Sequence, residues 1–146
     1  VLVAALGPQM LKLVGKTADG TATWMTGPKT IQDHVVPVIN DAAEKENRPQ
    51  PQVVAAIPVC IHPDKEVATE YAKRDFGFYG DLPSYRAMLD REGLENSWDI
   101  AITGSFEQVA EGMQEYVDAG ATQVVAAVYG PEESREETVS RLAELL

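Results

Sequence analysis

The chain has one cysteine and two histidines in 146 residues. The lone thiol, Cys60, cannot close an internal disulfide, so packing alone must hold the fold. That usage fits a reducing compartment, and a cytoplasmic location is expected. The two histidines, His34 and His62, with no cysteine pair beside them, give no metal-ligand spacing. Basic residues are also few: 12 Lys and Arg against 23 Asp and Glu leave a net charge of -11. A surface of that sign repels phosphate backbones and anionic lipids, which argues against nucleic acid and membrane surfaces as partners. It leaves room for a small anion, because a single helix N-terminus can hold one. No apolar run approaches the ~18 residues of a membrane span, and no charged stretch leads into an apolar one as in a signal peptide. A Ser-His-Asp arrangement, a phosphate-binding P-loop and a dinucleotide fingerprint are all missing. What remains is 45% apolar and 24% charged residues, the composition of an ordinary globular chain of one domain.

Four apolar runs of strand length are present: Val1–Leu6, Thr21–Thr26, Gln52–Ile61 and Gln123–Tyr129. Several are continuous rather than alternating, which is how strands buried on both faces of a parallel sheet read. Pro58 interrupts the third run and predicts a bulge or a strand end, because proline has no ladder donor. Each run closes on a proline: Gly7-Pro8, Gly27-Pro28, His62-Pro63 and Gly130-Pro131. Proline in the first turn of a helix loses nothing, since that N–H has no helical partner. The pattern therefore predicts a strand–loop–helix unit used four times over.

Helices are expected over residues 9–19, 28–46, 64–78, 84–92, 105–119 and 131–146. Pro37 should kink the second. Gly93 should end the fourth, and Ser105 should cap the start of the fifth, after a short extended piece at 99–104. Such units fit either a small doubly wound domain or half of a (β/α)8 barrel. The half-barrel would leave unpaired backbone groups on two apolar edge strands, so it needs its other half or a second copy of the chain. A chain that opens on Val1 inside an apolar strand favours the half-barrel, with an upstream part expected.

Ala5-Leu6-Gly7-Pro8-Gln9-Met10-Leu11-Lys12-Leu13-Val14-Gly15, followed by Ala18-Asp19-Gly20, resembles the fifth βα unit of the luciferase-like monooxygenase superfamily, in its F420-dependent oxidoreductase branch. Thr26-Gly27-Pro28, the stretch from Leu82 to Gly93 and Asp118-Ala119-Gly120-Ala121-Thr122 fit the same branch in the same order. The resemblance runs over essentially the whole chain. It implies an α/β fold: residues 1–146 as the C-terminal half of a (β/α)8 TIM barrel, with parallel strands alternating with helices. The N-terminal half would be absent, and an insertion would span about residues 64–98. It also implies hydride transfer between the deazaflavin coenzyme F420 and a small organic substrate. The alternatives are an FMN-dependent monooxygenase on the same scaffold, or a non-catalytic α/β binding module. This half by itself is expected to be inactive, and a homo-oligomer would cover its edges.

The resemblance places a cofactor tail near Gly7, Pro8, Gln9 and Met10, where free N–H groups of a helix start can hold an anion. A plain tight turn explains the same residues. Trp24, Thr26 and Gly27 end the second strand, at the mouth where barrel catalysis occurs. Trp24 would wall a ring and Thr26 would hydrogen-bond the cofactor; core packing is the competing role for Trp24. His62, beside Asp64, has the chemistry of a proton donor, although a loop role suffices. His34 and Ser134 are expected at the surface, Arg86 in a salt bridge, and Cys60 buried and inert. No catalytic residue is assigned.

Overall fold

The structure, a computed structural model, describes residues 1–145. Leu146, the end of the expected last helix, lies outside the described residues. Five parallel strands form one open sheet: β1 (Leu2–Ala4), β2 (Gly20–Trp24), β3 (Gln52–Ile61), β4 (Ile102–Gly104) and β5 (Gln123–Val128). β1, β2, β3 and β5 are the four expected runs, and they lie side by side in chain order. β4, expected only as an extended piece, pairs with the last three residues of β3, on the edge where β2 has ended.

That junction explains Pro58. β2 pairs with β3 as far as Ala56, and β4 begins pairing at Val59. The carbonyl of Ala56 accepts from Met25 on the β2 side. Pro58, two residues on, turns its missing donor toward the gap between β2 and β4. The strand therefore runs straight through the proline, and the expected bulge or end is not there.

Helices cover one face. α1 (Pro8–Thr17) follows β1, and Pro28–Lys45 follows β2 as one helix in three parts: α2 (Pro28–Thr30), a π-helical turn (Ile31–Val35) and α3 (Val36–Lys45). Pro37 accounts for the π turn. It cannot donate to the carbonyl four residues back, and its ring crowds that carbonyl. The Val36 N–H reaches instead to Ile31, five residues back. Against this layer the sheet turns Val53, Ala55, Ile57, Val59 and Ile61, packed with Leu11, Val14, Ile31, Val35 and Ile39. α6 (Phe106–Asp118) completes the layer through Val109 and Tyr116. Its start carries the expected cap, with Ser105 and Gln108 bonding each other's backbone N–H reciprocally. α7 (Glu132–Leu142) closes the chain, ahead of a short 3-10 turn. Proline opens α1 and α2 at the first turn, but Asp64 caps α4 (Lys65–Phe76) and Pro131 stands just before α7.

The opposite face is covered only at the strand C-termini. There α4 and Trp98 fold back across Cys60 and Tyr129, a 3-10 turn (Gly77–Asp81) brings Tyr79 to Trp24, and α5 (Pro83–Glu92) packs beside Thr30 at the start of the helix after β2. Nearer the N-termini of the strands, Leu2 and Val125 on this face are 42% and 48% exposed. β1 and β5 each have a free edge among the described residues. This is the arrangement of half a (β/α)8 barrel, with the sheet unclosed and its inner face open. Two sequence expectations change here. His34 is buried, because its place three residues after Ile31 puts it on the core side of the helix. Ser134 is buried as well, and its carbonyl accepts from the Thr138 hydroxyl. Among the described residues no helix is long and apolar enough to cross a membrane, and no group of acidic, His or Cys side chains is placed to hold a metal.

Candidate functional site

Parallel strands bring the loops after β1, β2, β3 and β5 to one end of the sheet. The turn after β1 is open: Gly7, Pro8, Gln9 and Met10 are all exposed. Gly7 caps α1 in an extended conformation, without a side-chain bond. The first helical bond runs from Leu11 to Gly7, so the Gln9 and Met10 amides have no partner within the helix. An anion at this place would meet two free donors.

The end of β2 is built differently. Trp24 projects on the inner face and meets Phe76 and Tyr79 edge-on, at 5.9 and 6.1 Å between ring centres. Its indole nitrogen is buried with no hydrogen-bond partner. A buried donor left unmade is costly. Met25 has φ +53, a left-handed conformation uncommon outside glycine, and is fully buried. Thr26 is buried, and its hydroxyl donates to the Trp24 carbonyl at 3.1 Å. Gly27 is buried beside Glu92. The four residues after β1 thus present backbone to solvent, whereas Thr26 and Gly27 are committed to internal contacts.

His34, expected at the surface, joins these two turns. Its Nε2 lies 2.9 Å from the carbonyl of Leu6, so the π turn of the second helix is tied to the end of β1. The signal was in the periodicity: Ile31, His34, Val35 and Ile39 fall on one helical face. His62 is half-buried in the loop after β3. Its Nδ1 accepts from the Asp64 N–H at 2.9 Å. It lines an open cleft of about 670 Å³, together with Lys65, Ser105, Phe106, Glu137 and Arg141. Arg86 pairs with Asp90 at 2.8 Å and donates to two carbonyls, as expected of a structural arginine.

Beneath α4, Tyr129 and Thr103 share a hydrogen bond of 2.7 Å, and Cys60 is fully buried. Burial pushes the Cys60 thiol up to about 11. It also pushes Tyr129 up to about 12, against the opposing bond from Thr103. Both groups hold their protons longer folded than unfolded, so stability is full below pH 9 and falls as pH climbs through these values. Denaturant titrations from pH 8 upward should show this loss. Replacing Cys60 with alanine should remove the part of the fall between about 9 and 11.

The model of the luciferase-like monooxygenase family matches residues 1–123. No curated protein matches the chain in sequence. Among solved structures it is similar to an F420-dependent secondary alcohol dehydrogenase in complex with an F420–acetone adduct, with a TM-score of 0.80 at 16% identity, over 99% of this chain and 47% of that one. A coenzyme F420-dependent tetrahydromethanopterin reductase from Methanopyrus kandleri gives 0.74 at 24% identity, over 92% and 47%. The oxygenating constituent of 3,6-diketocamphane monooxygenase from Pseudomonas putida, in complex with FMN, gives 0.64 at 12% identity, over 99% and 48%. The chain therefore spans about half the length of these structures.

Proposed function

The chain belongs to the luciferase-like monooxygenase family, and from that premise we propose that it is the C-terminal half of a (β/α)8 barrel oxidoreductase using F420. The N-terminal half or a second copy of the chain would cover the open inner face and the two edges. The full protein would be cytoplasmic, and this half alone would not turn over. F420 supplies a hydride acceptor or donor, and the partner in the exchange is a small organic substrate.

The residues of this chain divide the binding work. The free amides of Gln9 and Met10, on the turn made by Gly7 and Pro8, hold an anionic group of the cofactor. Trp24 forms one wall, and its unpartnered indole N–H donates to an acceptor on the bound ring. Thr26 and Gly27 keep Trp24 in place from behind. The aromatic rings of Phe76 and Tyr79 back Trp24 and keep water from it. The observation that carries this reading is the pairing, at neighbouring strand ends, of an open amide turn with a buried indole donor that has nothing to bond.

A second reading is an FMN-dependent monooxygenase, favoured by the family description and by the FMN-bound structural relative. A paired fluorescence titration of the full-length protein separates the two. Under the first reading F420 binds at least ~10-fold more tightly than FMN, a difference of about 1.4 kcal/mol. The reverse order would make the protein a flavin monooxygenase. Binding of neither would withdraw the redox assignment.

A further inference from the structure

The start of the helix after β2 is already occupied by a side chain that lies far off in sequence. Glu92, the last residue of α5, accepts the N–H of Lys29 at 3.2 Å and that of Thr30 at 2.9 Å. It also accepts the Thr30 hydroxyl at 2.7 Å. Thr30 is 1% exposed, so its two bonds are partly shielded from water, whereas the Lys29 bond is open to solvent. An acceptor carrying full charge at a helix N-terminus is the strong case, both for the dipole and for the orphan donors. Gly27 admits the carboxylate, since a Cβ there would overlap the Glu92 carboxyl group. Met25, two residues before Gly27, is held left-handed, a conformation that a buried non-glycine residue keeps only when its surroundings over-determine it.

We infer that Glu92 is a positioning residue: it fixes the turn from Trp24 to Gly27 and so sets the affinity of the mouth for its cofactor. The inference rests on the proposed cofactor site. The segment between β3 and β4 is held to the end of β2 and the helix after it by the Glu92 clamp, by the Thr30 hydroxyl donating to the Met88 carbonyl at 3.3 Å, and by the edge contact of Trp24 with Phe76 and Tyr79. Without the carboxylate charge the bonds from the Lys29 and Thr30 amides weaken, and the Thr30 hydroxyl falls back on the Met88 carbonyl at 3.3 Å. The left-handed Met25 is then free to relax toward the extended region, and the indole beside it turns with the backbone. A displacement of that size at a binding wall weakens whatever the wall contacts.

The test is Glu92→Gln in the full-length protein, with Thr30→Val as a milder variant that removes only the hydroxyl. Cofactor dissociation constants, amide exchange over residues 25–30 and the Trp24 indole NMR signal are measured together. Expected is F420 binding ~10-fold weaker in Glu92→Gln, and weaker by a smaller factor in Thr30→Val, with faster exchange at Lys29 and Thr30. Faster exchange with cofactor affinity unchanged would reduce Glu92 to a stabilising cap and overturn the inference. Should the wild type bind neither F420 nor FMN, the functional reading fails by itself, and the exchange and indole data still decide. A shifted indole signal and faster exchange support the clamp, and unchanged signals overturn it.

Discussion

Gly15→Val is expected to destabilise the protein by about 3 kcal/mol, at the upper end for overpacking, because the atoms in its way cannot move aside. Gly15 lies on the buried face of α1, where that helix crosses α3. A Cβ at this position would overlap the carbonyl oxygen of Ile39 and sit 2.8 Å from the Ala42 Cβ and 3.2 Å from the Ala43 nitrogen. Two of those three neighbours are backbone atoms inside a helix, so relief requires the helices to separate. Separation would open the seam beneath Leu11, Val14, Val35 and Ile39, all of them fully buried. For a chain of this size the loss corresponds to about 10 °C in melting temperature. Ala42→Gly in the same background should restore only a minor part, because it removes a methyl group and leaves the Ile39 carbonyl where it is. Full rescue by Ala42→Gly would show that the conflict was between side chains.

Local chemistry made the alternation of strands and helices readable. Gln52–Ile61 is a continuous apolar run and is β3 to the residue. Gly7-Pro8 and Gly27-Pro28 each open a helix at the expected place. Ser105 caps its helix as expected, and the structure adds Gln108 to complete a capping box. Burial of His34 was legible in its own helical periodicity, whereas partners distant in sequence decide Pro58 and Ser134. Pro58 is tolerated because two different strands flank β3 on one edge, which a one-dimensional pattern cannot express. Ser134 is buried by its place at the start of α7 against the sheet, in a stretch whose glutamates read as surface.

The candidate site divides along the same line. The open turn at Gly7–Met10 follows from residue types at a strand–helix junction. The Glu92 clamp joins residues 62 positions apart, and nothing near Glu92 marks it out from the other carboxylates of an acidic chain. Likewise the unpartnered indole of Trp24 becomes visible only when Phe76 and Tyr79 are folded against it. Residue types mark the strand–helix turns, whereas the contacts behind them depend on the segment between β3 and β4.

Val125→Glu separates a half-barrel from a self-sufficient domain. Val125 pairs in register with Ala56, which pairs with Trp24, so all three point to the inner face. Its neighbours Val124 and Ala126 pack against the helical layer instead. With Val125 48% exposed, a glutamate there in residues 1–146 alone meets water, and the cost should stay within about 0.5 kcal/mol. In a closed barrel the same carboxylate would be sealed away from water. The penalty then rises to several kcal/mol, about 3 or more, enough to prevent folding of a marginally stable protein. Apolar residues are also left exposed on the flanking helices: Met10 and Leu13 on α1, and Val139 on α7. Unfolding curves for the variant in the short chain and in the full-length protein should therefore differ by more than 2 kcal/mol. Equal, small effects in both would mean that the inner face is solvated in the whole protein, and the barrel assignment would fall with it.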